Sequence, residues 1–282
     1  MAETASAHQE ERNSGIIRRH PLAAYFVLAF GLAWWPWPFT LLNPAGTAII
    51  PWSPIVAAFI VAAVAVGRPG VKGLASSMVR WRVPPKWYAV ALIMPPVLVA
   101  ASVYGAVLFF APIPSASQLG EWYLSIPTFF TTLIVAGPLT EEPGWRGFAL
   151  PRMQERHSAL AASLTLGVLW AAWHLPLLLT DETGQRPVVQ YFMLLTAQSV
   201  LFTWLFNNTR GSVFLAILLH TMFNTAGAFF FKMYIDTDHY QQLWWIYAGL
   251  VSLVALVVVL LAGPRFLTRE PGPELMEGVG RT

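Results

Sequence analysis

Long apolar runs separated by short polar or Pro/Gly-rich connections recur along almost the whole chain. At about 20 apolar residues per membrane crossing, the pattern predicts helices over Leu22–Leu42, Trp52–Val66, Trp87–Ala111, Trp122–Leu139, Leu160–Leu179, Val188–Phe206, Ser212–Phe231 and Leu243–Ala262. Pro51 and Pro54 crowd the start of the second. Pro95 and Pro96 predict a bend in the third, because proline cannot donate to the preceding turn. The first run follows Ile17-Arg18-Arg19-His20, as a signal peptide would, but its length and the spans after it predict a retained helix. The expected fold class is therefore all-α: a polytopic membrane protein, a bundle of about eight transmembrane helices around a polar intramembrane cavity.

Composition agrees with this reading, since 56% of residues are hydrophobic and only 11% charged, against roughly one quarter charged in a soluble domain. One membrane domain is expected over residues 21–264, between a cytoplasmic N-terminal tail, 1–20, and a cytoplasmic C-terminal tail, 265–282. Basic residues fall beside alternate span ends: Arg18 and Arg19, then Arg68 to Lys86, then Arg146 to Arg156, then Arg210, Arg265 and Arg269. The stretches 43–51 and 112–121 have none. The positive-inside rule places both termini in the cytoplasm. The bases flank spans and form no separate basic face, so nucleic acid is not an expected partner; the lipid bilayer is. Trp34, Trp35, Trp37, Trp244 and Trp245 fall near span ends, where interfacial aromatic belts occur. With no cysteine, thiolate chemistry and Cys-ligated metal are excluded, leaving His and carboxylate as candidate reactive groups.

Ionisable residues are costly near hydrocarbon, so each is a functional candidate. Glu141 and Glu142 precede Pro143, and Arg146 lies four residues after Glu142, the spacing of a same-face ion pair. Thr140 capping a cytoplasmic helix with acids in its first turn would explain the pair equally well. From Pro143 to His157, apolar residues alternate with Arg146, Arg152, Gln154 and Arg156, predicting an amphipathic segment on the cytoplasmic interface. His174 stands in an uncharged run, and Pro176 leaves a backbone carbonyl unpaired that the imidazole could satisfy. His220 and Asn224 share a helix face, where interhelical hydrogen bonding is the ordinary role.

Two chemistries can use this set. A glutamate can take a proton from water that one histidine orients, while a second histidine and an asparagine amide donate to the developing oxyanion. Alternatively Glu141, His174 and His220 bind zinc with an open fourth position, although no HExxH supports a helix-borne zinc site. A non-catalytic scaffold held by the same residues is the rival from another class. No Gly-x-Ser-x-Gly elbow occurs. Asn207-Asn208-Thr209 matches a glycosylation acceptor but falls in an expected cytoplasmic loop. Counted from the start of their spans, His174 and His220 differ in depth by roughly 7 Å, so catalysis requires a tilt or kink that brings them together.

Three motifs in order carry a family resemblance: Glu141-Glu142-x-x-x-Arg146-Gly147-Phe148, then Trp170-Ala171-Ala172-Trp173-His174-Leu175-Pro176, then Gly211-Ser212 leading into His220-x-x-x-Asn224. Over this motif core, 140–224, the chain resembles the CPBP family of intramembrane proteases, the CAAX prenyl endopeptidase type 2 and bacteriocin-processing group also called Abi. The resemblance implies an eight-helix fold with a cavity open toward the cytosol. It implies Glu141 as general base, His174 as water-positioning residue, His220 and Asn224 as oxyanion hole, and Glu142 and Arg146 as support. It further implies hydrolysis of a membrane-associated peptide or protein without a required cofactor. Zinc is the alternative the family's metalloprotease label keeps open, and bacteriocin immunity the non-catalytic one. The short polar ends fit a prokaryotic plasma-membrane member.

Overall fold

Small residues at helical spacing bring the first two helices together. In α1 (Pro21–Trp34), Tyr25, Ala29 and Ala33 follow one another every four residues, and all three are buried. In α2 (Ser53–Ala65) they meet Ala57, Ala58, Val61 and Ala62, also buried. The alanines among them let two backbones approach closely, which is how helices pack without a hydrophobic driving force. The computed structural model describes residues 15–42, 48–135, 137–180, 187–234 and 237–269; most of the expected tails, 1–14 and 270–282, lie outside them.

Apart from short helical turns at Ile16–Arg19, Trp37–Leu41, Ala116–Gly120 and Glu121–Leu124, the further elements are α3 (Arg68–Met78), α4 (Pro85–Phe109), α5 (Ser125–Val135), α6 (Pro138–Glu142), a π-helical segment (Pro143–Ala149), α7 (Leu150–Gln154), α8 (Ala159–Trp173), α9 (Leu175–Leu179), α10 (Val188–Asn208), α11 (Val213–Phe231) and α12 (Tyr240–Ala262). Among the described residues six helical stretches are long and apolar enough to cross a membrane, and α2 and α8 are shorter apolar helices. Together they account for the eight expected spans, and the chain is an all-α integral membrane protein. The third expected span continues as α4 through Pro95 and Pro96.

The fourth departs from expectation. Its helix ends at Val135, and Gly137, with φ 104°, begins a second rod, α6 to α7, that carries the span on to Gln154. A Cβ at Gly137 would collide with the Glu141 carboxylate, so glycine is required there on two counts. The expected interfacial segment is therefore corrected: Trp145, Arg146, Phe148, Leu150 and Met153 are buried, and the π turn packs against α2 and α3. The polar-and-apolar alternation misleads because Arg146 is neutralised inside the bundle and does not face water. Pro143 and Pro151 bracket the irregular turn, each lacking the N–H that would continue an α ladder. Gly144 lets it seat, since a Cβ there would lie 2.5 Å from the Tyr25 hydroxyl and 2.6 Å from Pro54 Cβ.

One end of the bundle is tied together by polar contacts. Ser212 Oγ donates to the Arg80 carbonyl (2.6 Å), and Arg80 Nη1 donates to the Arg210 carbonyl. The Asn207 amide donates to Phe266 O (2.7 Å) and Gln154 Oε1 (2.8 Å), and that of Asn208 to Leu267 O (2.9 Å). Asn207 and Asn208, whose match to a glycosylation acceptor is discounted, thus clamp the segment after α12, whose Leu267 is fully buried. Residues 264–268, expected largely as tail, are docked.

Candidate active site

The short rod α6 delivers both glutamates to the interior, where Glu141 is 4% exposed and Glu142 fully buried. Thr140 does not cap it: its hydroxyl donates to the carbonyls of Pro51 and Gly137, both at 3.0 Å. The two acids have different partners. Glu142 accepts two bonds from Arg146 Nη1, at 2.9 and 3.1 Å, and one from His220 Nδ1 at 2.8 Å. Glu141 Oε2 accepts from the indole N–H of Trp170 at 2.7 Å.

Arg146 has few other polar contacts. Its Nε and Nη2 have no hydrogen-bond partner among the described residues; instead its guanidinium lies 4.3 Å from the ring centre of Trp170 and 4.1 Å from that of Phe202. Aromatic faces take up part of the cation's field where water is absent.

The buried stripe of α8, Ala159, Ala162, Ser163, Leu166, Gly167 and Trp170, carries that indole to the glutamates. The helix stops one turn later, and His174 sits at its C-cap with φ −81° and ψ −2°. Its Nδ1 lies 2.9 Å from the Trp170 carbonyl, not that of Ala172, which Pro176 leaves without an N–H. A carbonyl can only accept, so Nδ1 carries the proton, and a neutral ring then has its lone pair on Nε2. By the same reasoning His220 donates from Nδ1 to the Glu142 carboxylate. The two imidazoles meet around one indole despite the expected difference in depth: the Trp170 ring centre lies 6.2 Å from that of His174 and 5.2 Å from that of His220.

Glu141, Trp170, His174, His220 and Asn224 all line one cavity of about 460 Å³. Asn224 is exposed there, one turn beyond His220. Tyr191, Tyr240, Trp244 and Tyr247 complete its far wall. Trp244, expected in an interfacial belt, is 9% exposed and part of this wall, whereas Trp245 and Trp35 do face outward. Trp34 is likewise spent inside, donating to the Trp173 carbonyl at 2.9 Å. The structure thus assembles all six expected residues, four on the cavity wall and Glu142 with Arg146 behind it. Trp170 is the member to which sequence reasoning gave no role, although its i, i−4 relation to His174 placed it on the same face.

Among the described residues no three His, Asp or Glu side chains converge on a position that could hold a metal ion. Glu141, His174 and His220 share a wall without closing on one point, so the expected zinc set does not fit this arrangement.

The family described as Type II CAAX prenyl endopeptidase Rce1-like matches residues 122–226. The CAAX prenyl protease 2 of Methanococcus maripaludis is 27% identical over 150 residues, 49% of this chain and 55% of that protein. The chain thus aligns with little more than half the length of this relative. The matched stretch takes in α5 through most of α11 and contains Glu141, Trp170, His174, His220 and Asn224, though not Tyr240, Trp244 and Tyr247 of the far wall. Over this segment the chain is similar to the Rce1-like type II CAAX prenyl endopeptidases, in keeping with the resemblance its three motifs carry.

Proposed function

We propose that the protein is an intramembrane endopeptidase that hydrolyses a peptide bond of a membrane-associated peptide or protein in a prokaryotic plasma membrane, using water activated by Glu141. The observation that carries this reading is the convergence of Glu141, His174, His220 and Asn224 on one cavity. Water would donate one hydrogen bond to the Glu141 carboxylate and the other to His174 Nε2, so its lone pair is held toward the substrate carbonyl. As oxygen attacks, Glu141 takes the proton and the carbonyl becomes an oxyanion. The Asn224 amide and His220 Nε2–H then donate to it. With Nδ1–H committed to Glu142, a second N–H makes His220 an imidazolium. The four ionic groups, two carboxylates, one guanidinium and one imidazolium, then sum to zero, which suits an apolar interior. Collapse breaks the C–N bond, and the amine departs with the proton from Glu141.

Glu141→Gln tests this directly. Cleavage of membrane proteins, compared by proteomics between wild-type and variant membranes, should fall by about 10²–10⁴-fold, the usual contribution of a general base, with the unfolding temperature held near the wild type's. Unchanged activity, or loss of fold and function together, would instead mark the cluster as structural glue.

A further inference from the structure

The cavity and the basic residues stand at opposite ends of the bundle. Each helix lining the cavity does so with the part remote from its arginine-bearing end. His174 closes α8, whereas Arg156 precedes that helix. Tyr191, Leu194 and Leu195 lie in the first half of α10 and Gln198 at its midpoint, whereas Arg210 follows its end and precedes α11. Tyr240 to Tyr247 open α12, whereas Arg265 follows it. Every described Lys and Arg other than the buried Arg146 and the distant Lys232 belongs to that end, where the contacts of Arg80, Arg210 and the segment after α12 tie it together.

The direction of opening is written along α11. Its i, i+4 stripe runs from His220, 5% exposed, through Asn224 and Ala228 to Lys232, all three exposed. Lys232 lies about 18 Å farther from the basic end than His220, at 1.5 Å per residue. It lines the cavity and pairs with Glu121 at 3.1 Å, and exposed Trp35 and Trp245 belong to the same end. Basic loops stay in the cytoplasm. A cavity open to the cytosol, as the resemblance implies, and arginine-rich loops in the cytosol cannot both hold for this geometry.

Resting on the protease reading, we infer that the cavity opens on the non-cytoplasmic face. The substrate is then a peptide segment presented from that side of the membrane, not a protein tail in the cytosol.

The chain has no cysteine, so single-cysteine variants report location without further engineering. Intact cells carrying Ser117→Cys, Asn224→Cys or Lys72→Cys are treated with a membrane-impermeant maleimide, before and after permeabilisation. Ser117 is exposed four residues before Glu121, the partner of Lys232, and Lys72 is exposed on α3. Ser117→Cys and Asn224→Cys should react in intact cells, and Lys72→Cys only after permeabilisation. The reverse pattern overturns the inference, as does an Asn224→Cys protected until permeabilisation while Ser117→Cys reacts. If Asn224→Cys does not accumulate, Ala228→Cys, one turn outward, takes its place under the same criteria. Labelling requires no turnover, so this result stands apart from the Glu141→Gln experiment.

Discussion

At the scale of single residues, two adjacent glutamates separate into a reactive group and a tether, and the partners that distinguish them are testable. Trp170→Phe keeps the ring that stacks against Arg146 and His220 but removes the N–H held by Glu141. A hydrogen bond to a charged group is worth about 1.5–3 kcal/mol, so kcat should drop about 10–100-fold with KM nearly unchanged in steady-state assays. Glu142→Gln leaves the buried Arg146 without its counter-charge, which costs about 3–5 kcal/mol and should show as a lowered unfolding temperature in detergent. Adding Arg146→Met should recover much of that loss, because the pair is coupled. Much of this was readable along the chain. The Glu142–Arg146 pair and the shared face of His220 and Asn224 follow from helical spacing. The bond between Glu142 and His220 spans 78 residues and has no local signature, so the role of Glu142 as holder of a histidine emerges only from the fold.

At the scale of elements, the apolar runs reveal that helices exist but not how they are interrupted. The eight spans were legible because burial in lipid imposes a length. The turn at Gly137 and the π segment were not, because proline and glycine signal a break without specifying what replaces the regular ladder. The segment from Pro143 was read as interfacial since three arginines alternate with apolar residues there; only packing reveals that one of them is inside. Gly144→Ala tests that packing: overfilling the contact with Tyr25 and Pro54 should lower stability by about 1–3 kcal/mol, read by thermal unfolding. At the other end of the rod, Asn207→Ala should free residues 264–269 and speed their amide exchange, with catalysis retained, since its contacts lie far from the cavity.

At the scale of the whole molecule, the distribution of charge and the position of the cavity describe one polarity. The sequence showed the basic residues at alternate span ends, yet not that the reactive groups lean toward the other end, because depth depends on where helices stop. The buried cluster has a further consequence, for how the protein is made. Arg146 and the two glutamates leave the ribosome before Trp170, Phe202 and His220, the groups that later surround them. During that interval the stretch from Glu141 to Arg146 would expose those three ionic groups to lipid, a cost of a few kcal/mol for each at mid-bilayer. Stable insertion of the first half must therefore wait for the second. In chains halted after residue 160 the 138–154 stretch should be open to added protease, or the chain degraded, whereas chains extended past α11 should protect it.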